Sequence, residues 1–251
     1  RPPRTPVDRT PHCRWTVEID EAHPPVSESD GCRDLQRSRA ASVVLTDIDG
    51  SDEGQADYSG PLVSDLDFEA FSHSALVRMA DEVCLQMHLL NLGFRRAVGR
   101  RSSPEQAREI AVRQLVGIAG VAARRLHRAL GLTADAAGAL RVLALHPLLN
   151  PAAYVDATVG EVLEVRPSPA HDDGAWIALC GPRSSAPLQA ALQAVDPYLD
   201  VEVSGDDQRW TARVVRRDTP AEPPDEVKVT TISSGAGFVF APRVSLPITP
   251  V

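Results

Sequence analysis

Seven apolar residues recur at steps of three and four between residues 67 and 101, and this spacing constrains the fold more than any other feature. They are Leu76, Met79, Val83, Met87, Leu90, Phe94 and Val98. Because an α-helix completes a turn in about 3.6 residues, the spacing places all seven along one side of a helix. The pattern predicts a long helix that begins near Asp67 and packs this side into a core.

A second set of side chains lies beside these apolar residues on the same predicted helix. It contains His73, Asp81, Cys84 and His88, which stand one or two helical turns apart. An imidazole, a carboxylate and a thiolate at such spacing can bind one transition metal ion, zinc or iron. The alternative is that these groups bond to a neighbouring helix and that Cys84 is a small buried hydrophobe. The sequence leaves both interpretations open.

Two more helices are predicted before residue 150. Ser103, Pro104 and Gln106 have the pattern of a capping box with proline at the first helical position, and Gly131 is placed to end that helix. Its inward side is predicted to carry Ala111, Leu115, Ile118, Ala122, Leu126 and Leu130. Because small residues at 117, 119, 120 and 123 allow close approach, we expect an antiparallel hairpin with the first helix. A third helix is expected over 134–145.

The pattern changes after Pro151 to short alternating runs that are typical of strands. The predicted strands are 162–165, 176–179, 201–203, 210–215, 227–232 and 238–240, with hairpin loops at 204–207 and 233–237 and one helix at 186–194. Trp176 and Trp210 are expected in the core of this region. Two further strands, 15–19 and 42–46, are predicted in an N-terminal segment rich in Pro, Asp, Glu, Ser and Gly.

The predicted fold class is therefore α+β: a helical bundle built on a long helical hairpin, followed by a small, mainly antiparallel sheet domain with one helix. The predicted domains are an irregular acidic arm at 1–66, the bundle at 67–150 and the sheet domain at 151–251. Arg1 is not the small residue that removal of an initiator methionine normally exposes. We therefore expect either that upstream sequence was cleaved or that the chain begins inside a longer polypeptide.

Charge is distributed unevenly along the chain. The net charge is −8, which argues against general nucleic-acid binding because phosphate contacts need a positive surface. Residues 95–128, however, contain nine arginines and two glutamates. This basic hairpin predicts an anionic ligand or partner, pairing with the acidic N-terminal third, or a solvated face. For the first of these, Arg124, Arg125 and His127 are the predicted binding residues for an acidic small molecule.

Composition also bears on location. No apolar run reaches the roughly 18 residues that a membrane span needs, and the four cysteines give no dense disulfide framework. We therefore expect a cytoplasmic protein without a membrane span. All but one of the 26 basic residues are arginine, which is typical of high-GC coding and suggests a bacterial source.

Motifs of known enzymes are incomplete. Residues 42–51, SVVLTDIDGS, resemble the first motif of haloacid dehalogenase-type phosphatases, which implies a nucleophilic Asp47 and an acid/base Asp49 at the end of a strand. The rest of the chain departs from that family. In the family a lysine precedes a further acidic pair, whereas the only lysine of this chain, Lys228, follows the acidic pair at 172–173. No alternating strands and helices are predicted after Ser51.

A second enzyme hypothesis concerns Cys180 and His171. Cys180 lies where a predicted strand gives way to a helix, and His171 stands on the loop before that strand. A nucleophilic Cys/His pair and a plain turn before a capped helix are both compatible with this spacing.

These observations favour a non-catalytic binding or assembly protein, either an accessory subunit or a homo-oligomer, that uses the apolar helix 68–98 and the basic hairpin 95–128. Its first helix carries Phe71, Val77, Leu89 and Leu92 outside the main stripe. Because one partner helix does not cover so much apolar surface, we expect a protein partner or self-association. The alternative is a metal-dependent enzyme with its site on the same helix.

Overall fold

The computed structural model describes residues 27–60 and 66–233. The chain separates after Asp30 into two compact units, of which Gly31–Val251 is the larger. The helices of the described residues are α1 (Asp30–Gln36), α2 (His73–Gly99), α3 (Pro104–Leu130), α4 (Ala136–Ala144), α5 (Pro169–Asp172), α6 (Ala186–Gln193) and α7 (Asp225–Ser233). The strands are β1 (Ala157–Val159), β2 (Leu163–Val165), β3 (Leu199–Gly205) and β4 (Trp210–Arg216), in the antiparallel order β1-β2-β4-β3. The predicted α+β class is confirmed.

The ends of the two long helices follow from their capping residues. α2 begins at His73, where the Ser72 side chain accepts a hydrogen bond from the amide of Ala75, and not near Asp67 as predicted. Asp67 instead caps a short 3-10 turn before it. α3 has the predicted capping box, in which Ser103 and Gln106 each accept from the other's backbone amide. Gly131 ends α3 in the left-handed region at φ 60°.

α3 is the central helix of the structure and packs against α2, α4, α6 and α7. α2 and α3 form the predicted hairpin, and Asn91 donates to the Gln114 side chain across it at 2.8 Å. The glycines of α3, however, do not provide the close contact with α2 that was predicted. A Cβ atom at Gly117 would lie 2.8 Å from the carbonyl oxygen of Glu226, and one at Gly120 would lie 2.6 Å from Val227. The side of α3 that carries these glycines therefore allows α7 to pack closely.

The strand predicted at 227–232 is wrong, because these residues belong to helix α7. Its alternating β-branched residues gave a strand pattern, but the two prolines at 223–224 and the acidic Asp225 and Glu226 form a good first helical turn. Val227 is buried against α3, and Glu226 forms an ion pair with Arg113 at 2.8 Å. Packing on α3 thus decides the conformation of this segment.

Three of the other predicted strands correspond to β2, β3 and β4. A hairpin loop at 206–209 joins β3 to β4, two residues later than the loop predicted at 204–207. Residues 176–179 form a 3-10 turn instead of a strand, because this short buried run has no strand neighbour and follows Gly174 at φ 65°. β1 and the 3-10 turn were not predicted. The predicted strands 15–19 and 238–240 and the loop residues after 233 lie outside the described residues.

One hydrophobic core joins the helices to the sheet. Its buried members include Leu92 of α2, Leu115 of α3, Leu188 of α6 and Trp210 of β4, and Trp176 is buried with them as predicted. Burying a side chain of this size contributes roughly 1.5–3 kcal/mol. Residues on both sides of position 150 belong to this one core. The division of the chain into domains at 1–66, 67–150 and 151–251 stays a prediction.

The orientation of α2 is the largest departure from prediction. Its fully buried residues beyond the first turn are His88, Asn91 and Leu92, whereas Val83 is 58% and Leu90 76% exposed. At about 100° per residue the buried side lies roughly 120° around the helix from the apolar stripe. The prediction that this stripe faces the core is therefore wrong for most of the stripe, although the half-buried Met87 packs against the core. Phe71, Leu89 and Leu92, assigned outside the stripe, contribute to the buried or partly buried side instead.

The segment before α2 is irregular. Residues 43–49 belong to no helix or strand of the described chain, so the strand predicted at 42–46 is wrong. Asp47 is fully exposed and lies 3.8 Å from Arg78, and Asp49 accepts hydrogen bonds from Ser51. Neither carboxylate stands at the end of a strand, as the phosphatase motif would require. Within residues 27–60 and 66–233, no helix combines the length and apolarity that a membrane crossing needs.

Candidate functional site

The four predicted metal ligands of α2 do not converge. His73 is exposed at the first residue of α2, while Asp81 and Cys84 are half-buried on the middle turns. His88 is fully buried, and its Nε2 donates towards the carbonyl oxygens of Pro147 and Asn150 at 3.1 and 3.0 Å. The described residues contain no group of three or more His, Cys, Asp or Glu that could hold a metal ion.

The surroundings of these groups favour their neutral forms. Burial and the nearby Asp81 raise the pKa of the Cys84 thiol to about 11, and burial raises the pKa of Asp81. Burial lowers the pKa of His88 to about 4, and its ring packs against the rings of Tyr154 and Trp176. Because metal binding to Cys needs the thiolate, the geometry of this side of α2 suits a packed polar core better than a ligand set.

The predicted anion-binding residues Arg124, Arg125 and His127 are also separated. Arg124 donates to Thr231 of α7 at 2.5 Å and lines an apolar cavity of about 360 Å³ between α3, α6 and the prolines before α7. Arg125 is exposed. His127 is half-buried, and its Nε2 lies 3.3 Å from the carbonyl oxygen of Thr133. Of the three, Arg124 lines this cavity.

Cys180 and His171 line one small cavity of about 160 Å³, beside Arg108 and Arg183. No hydrogen bond joins the thiol and the imidazole, and His171 Nδ1 bonds instead to the Ser168 hydroxyl at 3.0 Å. Burial raises the pKa of Cys180 to about 12, although the charge of Arg108 opposes this. A thiol in such a place is a poor nucleophile.

Two surfaces stand out from this arrangement. The first is the outward apolar stripe of α2, which we define as Leu76, Met79, Val83, Met87, Leu90, Phe94 and Val98. Val83, Leu90 and Phe94 are exposed, and the other four are half-buried, with Met87 also in contact with the core. The second is a basic cleft of about 300 Å³ between the end of α2 and the start of α3, where Arg95, Arg96 and Arg108 meet. The basic composition of 95–128 indicated such a site, but it did not identify these three arginines.

The comparisons with known proteins add no relative: no family model, no curated protein and no solved structure matches this chain.

Proposed function

We propose that this chain is a non-catalytic assembly protein, and that the outward apolar stripe of α2 pairs with the same stripe of a second copy. The observation that carries the proposal is the exposure of Val83, Leu90 and Phe94, at 58%, 76% and 36%, on one side of a single well-formed helix. Contiguous exposed apolar surface is unfavourable in a monomer and is typical of protein interaction sites.

The period of the stripe supports a helix as the partner. Its steps of 3, 4 and 4 residues repeat, so that Leu76, Met87 and Val98 stand 11 residues apart. An 11-residue repeat has 3.67 residues per turn, which keeps the stripe almost parallel to the axis of a straight helix. The stripe extends for roughly 33 Å at 1.5 Å per residue. A second long, straight helix fits this seam.

The stripe also suits a twofold pair of antiparallel helices. Its members are arranged almost symmetrically around Met87, so that a twofold axis near this residue places Val83 of one copy opposite Leu90 of the other. Leu76 then faces Val98 of the second copy. Such a self-complementary contact is the commonest way in which two identical chains associate.

Charge supports the antiparallel direction. The acidic segment at 47–53 packs on the start of α2, where Asp52 accepts from the amide of Ser74 at 2.7 Å and the amide of Asp49 donates to the Ser74 hydroxyl. The other end of α2 carries the exposed Arg100 and Arg101. An antiparallel pair brings acidic and basic ends together twice, whereas a parallel pair opposes like charges.

Light scattering of the purified protein tests this proposal. At about 10 μM, the range in which modest interfaces associate, we expect the wild type to have the mass of two copies. Leu90→Glu buries an unpaired charge at the seam and is expected to give the mass of one copy. Val229→Glu is the matched control, because Val229 of α7 is 64% exposed and lies outside the stripe.

Two results would contradict the proposal. One is a wild-type protein that stays monomeric at this concentration and at ten times more. The other is a dimer that survives Leu90→Glu while circular dichroism shows an unchanged fold.

A further inference from the structure

The basic cleft lies between the last turn of α2 and the first turns of α3. It has a volume of about 300 Å³ and is lined by three arginines, one carboxylate and apolar groups: Arg95, Arg96, Arg108, Asp173, Leu92 and Ala107. The carbonyl end of α2 and the amide end of α3 meet here, so their opposite partial charges largely cancel. The side chains therefore set the electrostatic potential of the cleft.

The three arginines have no anionic partner among residues 27–60 and 66–233. No carboxylate oxygen of the described chain lies within 4 Å of Arg95, Arg96 or Arg108, whereas Arg100 and Arg113 of the same hairpin pair with Asp34 and Glu226. Arg96 Nη1 is buried from solvent and has no hydrogen-bond partner in the described structure. A buried donor without a partner costs about 1–3 kcal/mol, and more when the group is charged.

Asp173 offsets only one of the three positive charges, and it forms no ion pair with an arginine of the cleft because its oxygens already accept three hydrogen bonds. Oδ1 accepts from the amide of Arg39 at 2.8 Å, and Oδ2 accepts from the amide of Ala40 at 2.9 Å and from the Tyr154 hydroxyl at 2.7 Å. The carboxylate thus positions the 39–40 turn and Tyr154. The remaining positive charge of the arginines is available to a bound anion.

The arginines also lie close enough to repel one another. Burial lowers the pKa of Arg95, and the charge of Arg108 lowers it further. Gly174, at φ 65°, lies beside the guanidinium of Arg95, and a Cβ atom there would be at an ordinary contact distance of 3.4 Å from Nη1. An arrangement of like charges at partly buried positions is costly by itself and is compensated when an anion binds between them.

We propose that this cleft binds a small, multiply charged oxyanion, either the phosphate group of a phosphorylated metabolite or a dicarboxylate. Planar guanidinium groups bind both kinds of oxyanion through paired N–H donors. A doubly charged anion balances three arginines against the one carboxylate better than a single charge does.

The adjoining small cavity extends the proposed site. Arg108 lines both cavities, and the second also contains His171 and Gln208. Nε2 of His171 is buried without a hydrogen-bond partner in the described residues. It provides a polar contact for the uncharged part of a ligand whose anionic group is held by the arginines.

Isothermal titration calorimetry with inorganic phosphate and with succinate, at matched ionic strength, tests the proposal. We expect one of the two anions to bind with one site per chain. Arg108→Gln and Arg96→Gln should each weaken that binding at least tenfold, because each removes one charge and its donors. Arg125→Gln is the matched control: it removes the same charge from an exposed position on α3 outside the cleft, and should change the affinity less than twofold.

The results distinguish a phosphate group from a dicarboxylate and test whether the anion binds in the cleft. Tight phosphate binding with weak succinate binding assigns a phosphate group, and the reverse assigns a dicarboxylate. Absence of binding by either anion up to about 10 mM, well above typical ligand affinities, would overturn the proposal, as would an equal loss in Arg125→Gln. Because Arg108 is exposed, Arg108→Gln still tests the site if Arg96→Gln does not fold.

Discussion

Acidification from pH 7 to pH 5 is expected to destabilise this protein by about 4 kcal/mol through two buried histidines alone, at roughly 2 kcal/mol for each. Burial lowers the pKa of both His88 and His146 to about 4, from an ordinary value of 6.5. The unfolded chain therefore binds these protons first as the pH falls. Their contribution is complete above pH 6.5 and is lost as the pH falls from 6.5 to 4.

The contacts of the two rings explain why the folded state resists the proton. His146 Nδ1 accepts from the amide of Leu148 at 3.0 Å, while Nε2 faces the carbonyl oxygen of Ala119 at 3.2 Å. A proton on Nδ1 would point towards the amide N–H group of Leu148 and break this hydrogen bond. His88 uses Nε2 as a donor, and its Nδ1 is buried without a partner among the described residues, so the positive charge created by a second proton there would be unsolvated.

Urea unfolding at pH 7, 6 and 5 measures this effect above the range in which most carboxylates titrate. His88→Gln retains a donor near Nε2, and His146→Asn retains an acceptor near Nδ1. Each variant is expected to remove about 2 kcal/mol of the loss between pH 7 and pH 5, and the double variant about 4 kcal/mol. Burial also lowers the pKa of His171, which accounts for part of the remainder. His73→Gln, at an exposed position, is the control. A double variant with the wild-type pH dependence would show that other groups cause the acid sensitivity.

Leu92→Ala is expected to lower the free energy of unfolding by about 2–5 kcal/mol, whereas Leu90→Ala, two residues away, should lower it by at most about 0.5 kcal/mol. Leu92 is 2% exposed and lies in the main core, while Leu90 is 76% exposed. Removing three carbons from a packed site loses their burial and leaves a cavity. At an exposed site in the monomer neither cost applies.

Urea unfolding followed by circular dichroism compares the two variants. The protein must be dilute enough for light scattering to give a monomer, because pairing would add its own stabilisation to the Leu90 position. Similar losses in the two monomeric variants would mean that the stripe of α2 faces the core after all.

The sequence predicted the elements of this fold better than their orientation. Periodicity and caps identified α3 to the residue and α2 to within a turn and a half, since these signals are local. The predicted direction in which α2 faces was wrong, because an exposed apolar stripe has the same helical period as a stripe that faces the core. The buried side includes the polar residues His88 and Asn91, and Nε2 of His88 donates there to carbonyl groups about 60 residues away in sequence.

The candidate site was predictable only as a region. The excess of arginine at 95–128 marks the hairpin. Which arginines lack partners depends on pairings such as that of Arg100 with Asp34 and that of Arg113 with Glu226, which join residues 66 and 113 positions apart. No local pattern contains this information. α7 was missed for a related reason, since its packing on Gly117 and Gly120 outweighs the strand preference of its residues.

Cysteine cross-linking between copies tests the proposed pairing of α2 most directly. In a background with Cys13, Cys32 and Cys84 changed to Ser, Val83→Cys protein is mixed with Leu90→Cys protein and mildly oxidised. Two copies of residue 90 are separated by roughly 10 Å along an antiparallel pair, beyond the reach of a disulfide of about 7 Å. We predict a covalent dimer in the mixture and little in either protein alone. Equal cross-linking by each variant alone, or none in the mixture, would contradict the antiparallel seam on which the proposed function depends.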